Sequence, residues 1–175
     1  IPWHMLIEKM AKKLEIQCSR DVQRIIPVAS DFFIVETTND IRYDCAQVVI
    51  ATTITSIRKL LPRHKIYNEV EGKSFLRLYG KFDKHSAEIM SREVPKITIV
   101  PGPLKKIIPM GQGVYMIGYS DNKSADSLKD VLKNTAMNRD TLCRMLEKVL
   151  VLQENTLKMT AIKDYYWTVG THYYK

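Results

Sequence analysis

The sequence predicts an α+β fold: a mixed β-sheet domain flanked by helices, with a helix and a β-meander ahead of it. Three observations carry that prediction. An amphipathic helical stretch opens the chain, and two more helical stretches fall between residues 124 and 152. Segments rich in β-branched and aromatic residues fill most of the remainder. Helices and strands also come in runs, not in the regular alternation that builds a parallel βαβ sheet.

In chain order, "PWHMLIEKMAKKLEI" spaces Met5, Leu6, Met10 and Leu14 as one helical face, with Pro2 suited to a first turn. "VQRIIPV", "DFFIVETT" and "IRYDCAQVVIAT" then read as a meander of short strands, separated by Ala-Ser-Asp and Asn-Asp turn signals. The nearly all-apolar "QVVIAT" is expected to lie deep. A boundary is expected near Leu61-Pro62. Beyond it, "KSFLRLYGKF" alternates, with Phe75, Arg77 and Tyr79 on one face and Leu76, Leu78 and Gly80 on the other. "KITIV", "KKIIPM" and "GVYMIGYS" are further strands, divided by Pro-Gly-Pro at 101–103 and Gly-Gln-Gly at 111–113. Two helices follow, with Ser124 and Asn138 as candidate N-caps. The closing "KMTAIKDYYW" returns to strand chemistry.

Composition bounds the function. With 175 residues, of which 45% are hydrophobic, the chain can bury a real core. No apolar run approaches the roughly 20 residues that cross a bilayer, and no signal peptide opens the chain, so a soluble, cytoplasmic protein without a membrane partner is expected. Cys18, Cys45 and Cys143 are too far apart for a zinc site, and no metal is expected. Lys and Arg exceed Asp and Glu by 27 − 19 = 8. These cations are dispersed in short pairs, which fits a solvated basic surface better than a nucleic-acid site.

A self-contained active site is not apparent. The sequence has no Gly-x-Gly-x-x-Gly, phosphate loop, Gly-x-Ser-x-Gly or His-Glu-x-x-His. His4, His64 and His85 read as ordinary surface or structural histidines, and Cys143, between Leu142 and Leu146, as core. The final "YYWTVGTHYY" is different, because aromatics crowd around a Gly-Thr pair read as a turn, where Gly170 would let the backbone approach a ligand closely. From composition alone this segment is an aromatic core strand or the wall of a pocket for an apolar or cationic group. Arg77 is similarly open: an inward-facing cation needs a partner, whereas a strand edge supplies water.

Taken together, "IPWHMLIEKMAKKLEIQCSRDVQRI" and "IVETTNDIRYDCAQVVIATTITSIRKLLP" resemble the middle of the flavin-containing amine oxidases, the group of monoamine, polyamine and protoporphyrinogen oxidases. "SFLRLYGKF" and "YYWTVGTHYYK" extend the resemblance over almost the whole chain. The resemblance implies that residues 1–61 are part of an FAD-binding domain, 62–165 a substrate-binding domain, and 166–175 the start of a segment returning toward the flavin. It implies an FAD-dependent oxidation of an amine to an imine, with dioxygen reduced to peroxide. By the same resemblance, the Val22 main chain matches the position that hydrogen-bonds the FAD adenine. Arg77 lies near the position of a lysine that holds a water beside the reactive flavin nitrogen. Trp167 lies near a tryptophan next to the ring, and Tyr173 matches one wall of the aromatic cage that admits the amine. Gly170, Thr171 and His172 fall where the chain meets the cofactor, His172 at the position of a covalently linked cysteine, so non-covalent FAD is implied.

The family's Gly-rich fingerprint and its last flavin-contacting motif lie outside these residues. The expected partners are therefore a small-molecule amine and the remainder of the FAD domain, and the 175 residues alone are expected to be inactive. The wording of the chain also resembles oxidases of large DNA viruses, which would place it in a virion or in host cytoplasm. The alternative is a non-catalytic binding or structural module that keeps the oxidase fold.

Overall fold

The computed structural model describes residues 3–175, so the first-turn role read for Pro2 lies outside the described residues. The chain divides into two compact units: residues 1–52 with 56–64, and residues 53–55 with 65–175.

In the first unit, α1 (Trp3–Ala11) leads to a three-stranded antiparallel sheet of β1 (Val22–Ala29), β2 (Phe32–Thr37) and β3 (Arg42–Cys45), in that spatial order. No side chain of α1 is buried, and Trp3 is 78% exposed. The meander is held at one end by charge. Arg24 on β1 and Arg42 on β3 both reach Glu36 on β2, Arg42 Nε at 2.9 Å, and hydrogen bonds from the two guanidiniums keep the Glu36 carboxyl below the ordinary range.

The reading of "QVVIAT" as a deep strand is corrected. β3 ends at Cys45, residues 46–53 carry no regular structure, and Val49 is 91% exposed. A short apolar run without alternation does not distinguish a buried strand from an irregular wall. The chain instead enters α2 (Ile54–Leu60), a helix not expected from the sequence.

The second unit holds the core. β4 (Val70–Phe82), β5 (Thr98–Ile99), β6 (Lys106–Gly111), β7 (Val114–Asp121) and β8 (Met159–Tyr174) form an antiparallel sheet in the order β5-β6-β7-β4-β8. The period-2 pattern of β4 acts as expected: Leu76 and Leu78 are fully buried, and Arg77 between them is exposed. The buried side of the sheet joins Ile107, Ile117 and Ile162 to Met90 of α3 (Lys84–Glu93) and to Leu142, Cys143 and Leu146 of α5 (Ala136–Leu150) in one cluster.

Both expected N-caps are displaced. A short α4 (Asn122–Asp126) follows Asp121 directly, so Ser124 lies inside it. At α5 the cap is Thr135, whose hydroxyl accepts the Asn138 N–H at 3.2 Å. Asn138 is two residues into the helix and spends its amide on the Lys133 carbonyl at 2.9 Å. At the far end of α5, Val151 takes a left-handed conformation with φ 57°, and the Leu152 N–H returns to the Glu147 carbonyl at 2.8 Å.

The Gly-Thr pair is not a turn. β8 runs unbroken from Met159 to Tyr174, pairing Lys73 with Thr171 but Phe75 with Trp167, so Thr168–Gly170 bulge opposite Ser74. The glycine that suggested a turn is the residue that lets the strand bulge without stopping.

Candidate functional site

Each unit presents one candidate. In the first, β1 is an edge strand, paired on one side by β2, so half of its ladder groups face away from a strand partner. A cleft of about 530 Å³ is lined by Val22 and Ile25 of β1, Val35 of β2, Val49 and Ile50 of the irregular segment, and Leu60 of α2. The Thr38 N–H donates to the Asp21 carbonyl at 2.9 Å and fixes the chain immediately before Val22. Apolar walls beside a backbone edge suit a flat heteroaromatic group: the walls bury its faces, while main-chain groups meet its polar rim. Val22 therefore lies in the cleft, and the segment read as buried strand supplies another wall.

In the second unit, the sheet face opposite the core is aromatic and cationic. The register sets Arg77 between Tyr119 of β7 and Tyr165 of β8, and Phe75 beside Trp167. Trp167 stacks on Phe75 with centroids 5.6 Å apart and on Tyr165 at 6.1 Å, and Tyr79 meets Tyr165 edge-on at 6.0 Å. The Arg77 guanidinium carbon lies 5.6 Å from the centroids of both Phe75 and Tyr119. Lys106 Nζ is 4.9 Å from the Tyr119 centroid, and Lys163 Nζ 5.6 Å from that of Tyr165. The face is open, with Tyr165 49% and Trp167 42% exposed.

The remaining expected site residues are held by the fold. The Tyr173 phenol donates to the Asp121 carboxylate, and that bond raises its pKa. His172 Nε2 accepts the Ile54 N–H at 3.1 Å, at the first turn of α2. Thr171 Oγ1 is buried beside the Tyr173 phenol. Gly170 faces Phe75, where an added Cβ would fall 2.4 Å from the Phe75 Cβ. Of the seven residues singled out, the structure brings Arg77 and Trp167 onto one face. Val22 lies in the other unit, and Tyr173 and His172 are tied to Asp121 and Ile54. Tyr119 and Lys106 join the face by register alone, a signal the sequence does not carry. Among the described residues no group of three or more His, Cys, Asp and Glu could hold a metal ion, and no helix is long and apolar enough to cross a membrane.

No family model and no curated protein matches the sequence. A solved structure of putrescine oxidase, a triple mutant made for redesign of cofactor binding, superposes with a TM-score of 0.69 at 13% identity, covering 97% of this chain and 41% of that protein. The fold is putrescine oxidase-like. The likeness spans both units, and the chain corresponds to less than half the length of that enzyme.

Proposed function

We propose that these residues form the substrate-binding portion, with an adjoining strip of the FAD domain, of an FAD-dependent amine oxidase. The observation that carries this reading is the first-unit cleft, where an apolar slot adjoins the edge strand that begins at Val22. The slot suits the adenine end of the cofactor, with the main chain at Val22 meeting the adenine rim and Ile25, Val35 and Ile50 covering its faces. The 175 residues contain no Gly-rich phosphate loop, so the pyrophosphate would be gripped by other residues of a longer protein. On that ground this chain by itself is expected not to hold FAD stably.

When bound, FAD would supply the two-electron acceptor for oxidation of the carbon–nitrogen bond, with dioxygen as the terminal acceptor. The residues of this chain would bind and orient. Trp167, Tyr165 and Phe75 offer flat apolar walls to the substrate, and Arg77 fixes charge among them. His172 already spends Nε2 on Ile54, which fits a flavin held without a covalent link. Tyr173 is better read as a positioning residue that anchors the end of β8 to Asp121 than as a free cage wall. No strong acid or base is required of the chain.

A non-catalytic module on the same fold is the second reading. A scaffold is free to pack its aromatics shut, whereas the shared face of Arg77 and Trp167 fits the enzyme. The test is the full-length protein with FAD and a panel of amines, read by flavin absorbance and by peroxide release. Bound flavin with amine-dependent peroxide is the expected result; a flavin-free protein that releases no peroxide would overturn it.

A further inference from the structure

We infer that the aromatic sheet face takes a substrate carrying an anionic group beside its amine, a carboxylate as in an amino acid, and disfavours a diamine. This rests on the oxidase reading for the reaction, but the binding claim stands on the face alone.

Three cations, Arg77, Lys106 and Lys163, each lie over a ring of the face. The carboxylates around the same sheet are already engaged. Glu71 pairs with Lys73 at 2.8 Å, Asp121 accepts from Tyr173, and Asp126 accepts from Tyr166 at 2.6 Å with Lys129 Nζ at 3.4 Å. Asp164 is paired with Leu78, in register with the core-facing side. The phenol bond leaves the Asp121 charge in place, but among the described residues the three cations outnumber it and the face is net positive. A diamine such as putrescine would bring two positive charges against a net positive face, whereas an amine with a carboxylate brings one charge the face attracts.

Arg77 is suited to that carboxylate. A guanidinium held near ring faces has no acceptor there for its N–H donors, and their fork matches the two oxygens of a carboxylate. Among the described residues Arg77 has no acidic partner within 4 Å that would compete. The neighbouring Phe75, Tyr165 and Trp167 rings would bury an apolar side chain, so phenylalanine is the natural first probe.

The experiment uses the full-length protein and four probes: phenylalanine, 3-phenylpropionate, phenethylamine and putrescine, with binding followed by calorimetry and oxidation by peroxide release. Phenylalanine and 3-phenylpropionate are expected to bind at least about tenfold more tightly than phenethylamine, and putrescine most weakly. Arg77→Met should erase that preference, while Arg77→Lys, which keeps the charge and loses the fork, should retain part of it. In the unaltered protein, added salt should weaken 3-phenylpropionate most and phenylalanine less, and should not weaken phenethylamine, a readout that does not depend on any variant folding. Phenethylamine or putrescine binding as tightly as phenylalanine, or a carboxylate preference untouched by both salt and Arg77→Met, would overturn the inference. Peroxide from phenethylamine or putrescine and none from phenylalanine would sink it while leaving the oxidase reading intact. Arg77-dependent carboxylate binding without peroxide from any probe would uphold it and sink the oxidase reading.

Discussion

Gly170 on β8 lies against Phe75 on β4 so closely that a methyl group at Gly170 would sit 2.4 Å from the Phe75 Cβ. That atom is fixed to the β4 backbone, so the strain cannot be relieved by a rotamer change. Gly170→Ala is expected to cost about 1–3 kcal/mol through overpacking and to lower the thermal midpoint. An unchanged midpoint would mean that the bulge opposite Ser74 relaxes freely.

Glu147 is a second point of concentrated stability. It is 2% exposed, and its carboxylate accepts the Leu157 N–H at 2.7 Å and the Asn155 N–H at 3.2 Å, fastening the loop after α5. Glu147→Ala should cost about 1–3 kcal/mol for each buried donor left without an acceptor, with Glu147→Gln, which keeps one oxygen, losing clearly less. Denaturant titration of the two variants checks the order.

The Arg24–Glu36–Arg42 cluster predicts an acid limb. Glu36 titrates below its ordinary value of 4.5 because the guanidiniums stabilise its charged form. Its contribution is therefore complete above that value and is lost as pH falls through the lower folded value. The stability difference between the unaltered protein and Glu36→Gln should be constant near neutrality and shrink in acid. A difference that does not vary with pH would contradict the assignment.

The cysteines should differ in reactivity. Burial pushes the Cys143 thiol up to about 11, so at pH 8 it stays protonated as well as enclosed, while Cys18 is exposed. Alkylation followed by mass spectrometry should modify Cys18 first and reach Cys143 only on unfolding.

Sequence patterns were most informative where they were local and regular. β4 announced itself by alternation, and Cys143 by its place between Leu142 and Leu146. Segment 46–53 misled because an apolar run has no period to distinguish a core strand from a cleft wall. Gly170-Thr171 misled because glycine serves a bulge as readily as a turn. The α2 contact was illegible for another reason: Ile54 and His172 are 118 residues apart. The cationic aromatic face likewise arises from the pairing of β4 with both β7 and β8, and register of that kind is decided by tertiary packing.

The distribution of buried residues has one more consequence. Every member of the hydrophobic cluster falls between Leu76 and Ile162, while in the first unit only Glu36 and Thr37 are buried among the described residues. Amide protons of β1–β3 should thus trade with deuterated water through shallow local openings, and those of β4 and β7 only when the entire second unit comes apart. The same polypeptide would then record two clocks, a fast one over the cleft and a slow one beneath Arg77.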